Sequence, residues 1–160
     1  MIRSWARAQS WGLVGFAQAY AWTRDPFFAD AAMRLADWWL AAVPADRVAF
    51  WDFKDPAIPS TQRDTSATAM TAAALLKLGR IAPTATQRTR YAEAGAATVR
   101  ALVEGYLTPT HASDARPRGI LTEGCWQRNE GMGMRDELIW GDYYLFESLL
   151  LLAGRIDLVL

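Results

Sequence analysis

One cysteine and one histidine are all that the 160 residues offer. Cys125 alone excludes an intramolecular disulfide and a thiolate zinc cage, and His111 leaves too few ligands for a histidine-rich catalytic metal site. An excess of charge is missing as well. Lys+Arg and Asp+Glu both number 17, so no basic footprint argues for nucleic acid or an anionic membrane. Long apolar runs are absent too: Leu149-Leu150-Leu151-Leu152 is far short of a membrane span, with Glu147 and Arg155 on either side. The first residues show no apolar segment followed by a small-residue cleavage site. The sequence therefore reads as one soluble domain, residues 1–160, with a real core and a reducing, cytoplasmic setting. What is abundant is apolar and aromatic: 52% hydrophobic residues and eight tryptophans. Such a chain buries much apolar surface or needs a partner to do so.

Five helical segments can be read, in two kinds. Residues 9–22, 65–80 and 140–154 are apolar or small nearly all the way round. The middle one, Ser66-Ala67-Thr68-Ala69-Met70-Thr71-Ala72-Ala73-Ala74-Leu75-Leu76, has no polar stripe, and a helix without a wet face is surrounded by protein. Residues 26–42 carry Asp30, Arg34 and Asp37 opposite Phe28, Leu35 and Trp39. Residues 86–106 set Arg90, Glu93, Arg100 and Glu104 against Tyr91, Val99, Leu102 and Val103. Those two are amphipathic surface helices. Buried and surface helices thus alternate, and faint echoes link them: Phe28-Ala29-Asp30-Ala31-Ala32 with Tyr91-Ala92-Glu93-Ala94-Gly95, and the helix ends at Arg24, Arg80 and Arg155. Repeated helix pairs build a solenoid or a closed toroid. The uneven intervals favour an all-α toroid of inner and outer helices with elaborated loops.

The links differ in length. Those from buried to surface helices are short (23–25 and 81–86), and those returning are long (43–63 and 107–139). All long loops then lie where inner helices begin, and long loops on a rigid scaffold concentrate binding residues. Ser4-Trp5-Ala6-Arg7-Ala8-Gln9-Ser10-Trp11 enters its helix at the same end. Tryptophan covers the C–H face of a sugar, arginine forks onto a carboxylate, and a glutamine amide serves hydroxyls. Trp5, Arg7, Gln9, Trp11, Trp51, Arg63 and Trp140 are accordingly candidate residues for an acidic sugar, and Asp52, Asp64 and Asp142 are carboxylates in the same segments. On one continuous helix Arg7 and Trp11 share a face, while Trp5 and Gln9 share another nearly opposite. All four meet one ligand only if the helix starts inside the motif.

Plainer readings stand beside these. Asp64 before Thr65-Ser66 suits a helix N-cap, and Asp142 suits one likewise. Trp51 and Trp140 suit the core, and His111 a solvated loop. Gly131-Met132-Gly133 is too short for a phosphate loop. Cys125 has no histidine nearby in sequence to make it a nucleophile.

Four segments in order, Ser4 through Leu13, Trp51-Asp52-Phe53 with Ile58-Pro59, Arg63-Asp64-Thr65-Ser66-Ala67, and Leu138-Ile139-Trp140-Gly141-Asp142-Tyr143-Tyr144 through Glu147, resemble the carboxy-terminal half of unsaturated glucuronyl hydrolases, glycoside hydrolase family 88. Ala8 stands where that family usually has glycine. The resemblance implies part of an (α/α)6 barrel, with no metal or organic cofactor. It implies an unsaturated uronate oligosaccharide as substrate: an aspartic acid protonates C4 of the 4,5-unsaturated uronic acid, water adds at C5, and the hemiketal opens. Paired carboxylates at the anomeric carbon are not used. A related reading is a barrel acting on unsaturated rhamnogalacturonan fragments. A third is a non-catalytic helical module for acidic sugars or a protein partner.

In the family the catalytic aspartates precede the Trp-Ala-Arg-Gly-Gln segment, so the resemblance assigns no catalytic residue here. Arg7, Gln9 and Trp11 match substrate-side positions instead. Three inner helices cut from a ring also leave apolar flanks bare, and a few hundred Å² at ~25 cal/mol per Å² amounts to several kcal/mol. The chain is expected to associate with itself or to meet the amino-terminal half of a barrel.

Overall fold

The computed structural model describes residues 4–109, 111, 113 and 119–157. Five helices follow one another: α1 (Ala6–Thr23), α2 (Pro26–Ala42), α3 (Thr65–Ile81), α4 (Ala85–Gly105) and α5 (Ile139–Leu152), with a 3-10 turn at Arg128–Glu130. Their starts have local causes. The Asp25 carboxylate accepts the amide of Phe27, and Pro26 follows at the first helical position. Asp64 accepts from Ala67, so its capping role holds. Thr84 and Gln87 form a reciprocal capping box. Asp142 does not cap α5; its carboxylate instead accepts the backbone N–H of Leu121 at 2.8 Å.

α1, α3 and α5 pack side by side with α3 in the middle, while α2 backs α1 and α4 backs α3. This is a portion of an α/α toroid, three inner helices and two outer ones. One core cluster joins Leu13, Ala36, Leu75, Leu78 and Tyr91 from four helices. A second joins Leu76, Val99, Leu102, Leu121 and Leu145. The α3–α4 approach is close: a Cβ on Gly79 would stand 2.8 Å from that of Ala92. The small residues of α3 permit this.

Of the three helices read as buried, two leave apolar residues exposed, as the bare flanks expected of an open ring require. Only α3 is enclosed, with every residue from Thr65 to Leu78 buried. Its hydroxyls are consumed by neighbours: Thr65 donates to the Thr122 carbonyl, Thr68 accepts from the Ala49 amide, and Thr71 meets Ser10. α1 leaves Trp11 and Trp22 exposed, and α5 leaves Ile139, Phe146, Leu149 and Leu152 exposed. The reason is positional. α3 has an inner neighbour on both sides, whereas α1 and α5 each have only one. On the outer layer Val103 is likewise exposed, although Tyr91, Val99 and Leu102 are buried as expected.

All three inner helices begin at one end, and the long loops fold over that end. Backbone bridges there pair Trp5 with Asp52, Phe50 with Arg63, and Gly124 with Asp136.

Candidate functional site

Arg7 is the centre of that end. Its side chain is 3% exposed, and Nη1 donates to Asp64 Oδ2 at 2.9 Å and to the Cys125 carbonyl at 2.7 Å. Nη2 donates to the Trp126 carbonyl at 2.5 Å. The guanidinium carbon lies 4.8 Å from the Trp5 ring centre and 5.3 Å from that of Trp140. A buried cation is thus matched by a carboxylate, two carbonyls and two π faces, as desolvation requires.

The partners are fixed in turn. Trp140 Nε1 donates to Ser66 Oγ at 2.9 Å, and Ser66 Oγ donates to Asp64 Oδ1 at 2.5 Å. Asp64 Oδ1 also accepts from the amides of Ala67 and Cys125. Burial pushes the Asp64 carboxyl above its ordinary value, opposed by the Arg7 charge and by the bonds from Ser66, Ala67 and Cys125. With no exposed surface and both oxygens occupied, Asp64 holds Arg7 in place rather than meeting a ligand. One residue from the start of each inner helix enters this network: Arg7, Ser66 and Trp140.

The helix start answers the question raised by the opening motif. α1 begins at Ala6, so Trp5 stands outside the helix and folds back over Arg7. Trp11, about one turn on, is 48% exposed and meets Tyr144 edge-on at 6.1 Å. Gln9 goes elsewhere: it lines a groove of about 750 Å³ on the α1–α2 flank with Phe16, Phe27, Leu35 and Trp38. That groove lies on an open side of the toroid and not at the Arg7 wall.

Three further candidates serve the loops. Arg63 pairs with Asp46 at 2.6 Å, donates to the Val48 carbonyl and lies over the Phe50 ring at 4.0 Å. Trp51 is buried, and its Nε1 donates to Asp55 Oδ2 at 2.5 Å. Burial would raise the Asp55 carboxyl, but hydrogen bonds from Ala57, Trp51 and Thr61 and the charge of Arg128 bring it down to about 2. Asp52 is buried, with Oδ1 accepting from the amides of Ser4 and Lys54. None of these touches Arg7 directly.

Other members were not legible. The carbonyls of Cys125 and Trp126 belong to the backbone, which carries no residue signature. Ser66 was visible only as part of a helix start. The Cys125 thiol is buried, and burial followed by the nearby Asp64 charge pushes it up to about 11, which argues against a nucleophile. No group of three or more metal-ligating side chains occurs among the described residues. No described helix is long and apolar enough to cross a membrane.

No family model matches the chain. It is 37% identical over 148 residues to an unsaturated glucuronyl hydrolase from Bacillus sp. strain GL1, covering 92% of this chain and 38% of that one. It is 32% identical over 150 residues to an unsaturated chondroitin disaccharide hydrolase from Streptococcus pneumoniae, covering 91% and 36%. The crystal structure of the Bacillus enzyme, described as responsible for the degradation of glycosaminoglycan, superposes with a TM-score of 0.85 over 94% of this chain and 39% of that one. The chain spans under two fifths of the length of the relatives it matches by sequence. Over that span it is similar, in sequence and in fold, to unsaturated glucuronyl hydrolases, and its helices form part of an α/α toroid.

Proposed function

We propose that this chain supplies one wall of a uronate pocket in a hydrolase that removes 4,5-unsaturated uronic acid from the non-reducing end of oligosaccharides. The observation that carries the reading is Arg7, held by Asp64 and two carbonyls between Trp5 and Trp140 at the common start of three inner helices. Two of its five N–H groups have no partner among the described residues, and a carboxylate accepts from such a fork. The half-exposed faces of Trp11 and Trp126 suit sugar C–H surface. The proposed reaction adds water across the double bond, a proton to C4 and hydroxide to C5, and the resulting hemiketal opens to release the next sugar. The proton donor is proposed to lie outside these 160 residues, since Asp64 is sealed behind Arg7. Names of the relatives favour glucuronyl and chondroitin fragments over rhamnogalacturonan.

The wall is proposed as part of a single domain, residues 1–160, whose bare flanks meet the rest of a barrel or a second copy. A cytoplasmic setting accords with the free thiol of Cys125. The test is an unsaturated chondroitin disaccharide mixed with the chain. Tryptophan fluorescence should titrate saturably, Trp5→Ala should weaken binding about tenfold, and the enoate's ultraviolet absorbance should persist. Turnover by the chain alone would place the proton donor within it. A folded chain that shows no saturable change would remove the uronate pocket.

A further inference from the structure

The two ends of the helical arc are apolar in opposite ways. On α5, Gly141, Leu145 and Ser148 are buried on the side of α3. Ile139, Tyr143, Phe146 and Leu150 lie on the reverse side, within about 60° of one another around the helix, and the first three are exposed. None of the four is charged, whereas a helix face turned to water carries charged and polar residues. On α1, Ala6, Leu13 and Ala17 are buried, the last two against α3. The reverse side of α1 holds Ala8, Gly12, Gly15 and Ala19, again within about 60° of one another. One end of the arc is therefore a ridge of large side chains, and the other is a trough floored by small ones. Glycine weakens a helix interior, and a Cβ on Gly15 would meet nothing within 4 Å. No packing among the described residues accounts for it.

Ridge and trough share a register. Arg7 and Trp140 stand level in the entrance network. Counted from them at about 1.5 Å per residue, Tyr143 is level with Ser10, Phe146 with Leu13 and Leu150 with Ala17. Each large side chain thus falls between two small ones: Ala8 and Gly12, Gly12 and Gly15, Gly15 and Ala19. This is the spacing of knobs set into holes. Leu149, exposed on the outer edge of the ridge, is level with Phe16 in the α1–α2 groove.

A second copy of the chain is the occupant that brings this ridge to this trough. The solved structures on which the chain superposes are (α/α)6 barrels, and three inner helices make half of such a ring. A twofold axis along the bore sets α5 of each copy against α1 of the other, twice, and the ring closes with its six inner helices parallel. The exposed parts of Trp22, Phe27, Tyr143 and Phe146, at roughly 120 Å² each, come to roughly 1,000 Å² over two copies, which is the size a specific interface requires.

We propose that the chain forms a twofold head-to-tail dimer that closes a ring of six inner helices, the α5 ridge of each copy seated in the α1 trough of the other. The second copy then closes the bore opposite the Arg7 wall. Sedimentation equilibrium of the full chain should show association that stops at two copies. Phe146→Glu, at an exposed position, and Gly15→Trp, into open space, should each weaken the dimer by at least about a hundredfold, with helical circular dichroism unchanged. An equal mixture of the two variants should recover a dimer, because one of its two seats joins an unaltered ridge to an unaltered trough. A wild-type chain that stays monomeric would overturn the proposal, as would oligomers that grow past two, since the ring is then open. So would a Gly15→Trp dimer as tight as the wild type, which would set α5 against α5, or folded variants whose mixture stays monomeric. No sugar enters the measurement, so its failure leaves the uronate wall untouched.

Discussion

Among the described residues two buried ion pairs join the inner helices, and they are finished differently. Arg7–Asp64 sits where the long loops fold back, and loop carbonyls and amides occupy what the pair leaves open. Lys77–Glu147 sits towards the other end, where the link from α1 to α2 is only Arg24 and Asp25, and Glu147 Oε2 and Gln18 Nε2 have no partner among the described residues. The difference follows from chain length. A long loop can return backbone N–H and C=O groups to a buried charge, and a short turn has none to spare. The first pair is therefore closed by loop backbone, and the second keeps unused hydrogen-bonding valence.

The largest break should come at the first pair. Asp64→Ala strands a buried guanidinium and orphans the donors of Ser66, Ala67 and Cys125. Thermal or urea unfolding should show a loss of about 3–5 kcal/mol; a change below about 1 kcal/mol would mean the pair is not the entrance's anchor. Next, the deep end depends on helix approach and not on loops. Gly79→Ala sets a Cβ against Ala92 at 2.8 Å and should destabilise by about 1–3 kcal/mol, read from the same unfolding curves. Third, replacing the deep pair by apolar residues, Lys77→Met with Glu147→Leu, should leave stability within about 1 kcal/mol, because both charges go together and a single long contact, that to Gln18 Oε1, is lost. A loss as large as that of Asp64→Ala would erase the contrast between the two pairs.

The smallest expected effect is local and depends on pH. Asp55 clamps the entrance loop through Trp51, Thr61 and Ala57, and its carboxyl lies at about 2 in the fold against 3.8 unperturbed. A depressed carboxylate contributes stability that is present above the ordinary value and is lost as pH falls through the folded one. Trp51 fluorescence should therefore hold above pH about 4 and change towards pH about 2, and Asp55→Asn should remove that transition. A transition that survives in Asp55→Asn would assign it to another group.

The flanks offer a different measurement. Trp22, Phe27, Ile139 and Phe146 are more than half exposed. Sedimentation of the isolated chain should show association that grows with concentration, whereas a monodisperse, cooperatively melting monomer would show that the bare flanks are tolerated.

Much of this was legible in the residues. Helix limits came within a few residues because apolar periodicity and the Asp64 cap mark them by local chemistry. The inner–outer alternation and the single end for long loops followed from the same pattern. Arg7 was legible as a candidate, but its partners were not. Sequence offered a free fork, and the fold spends most of it on Asp64 and the Cys125 and Trp126 carbonyls. Arg63 looked equivalent and went to Asp46 and Phe50 instead. Glu147 was legible only as the end of a matching segment, and its meeting with Lys77 and Gln18 was not, because the three stand on segments far apart in the chain.

By itself, then, the sequence determined what acts over a few residues: which segments are helical, where they start, and which faces are apolar. Only the tertiary structure decided which charge meets which, which polar atoms stay vacant, and that α3 alone is enclosed. Those outcomes depend on contacts between residues 57 to 119 positions apart, and local propensity carries no information about partners at that range.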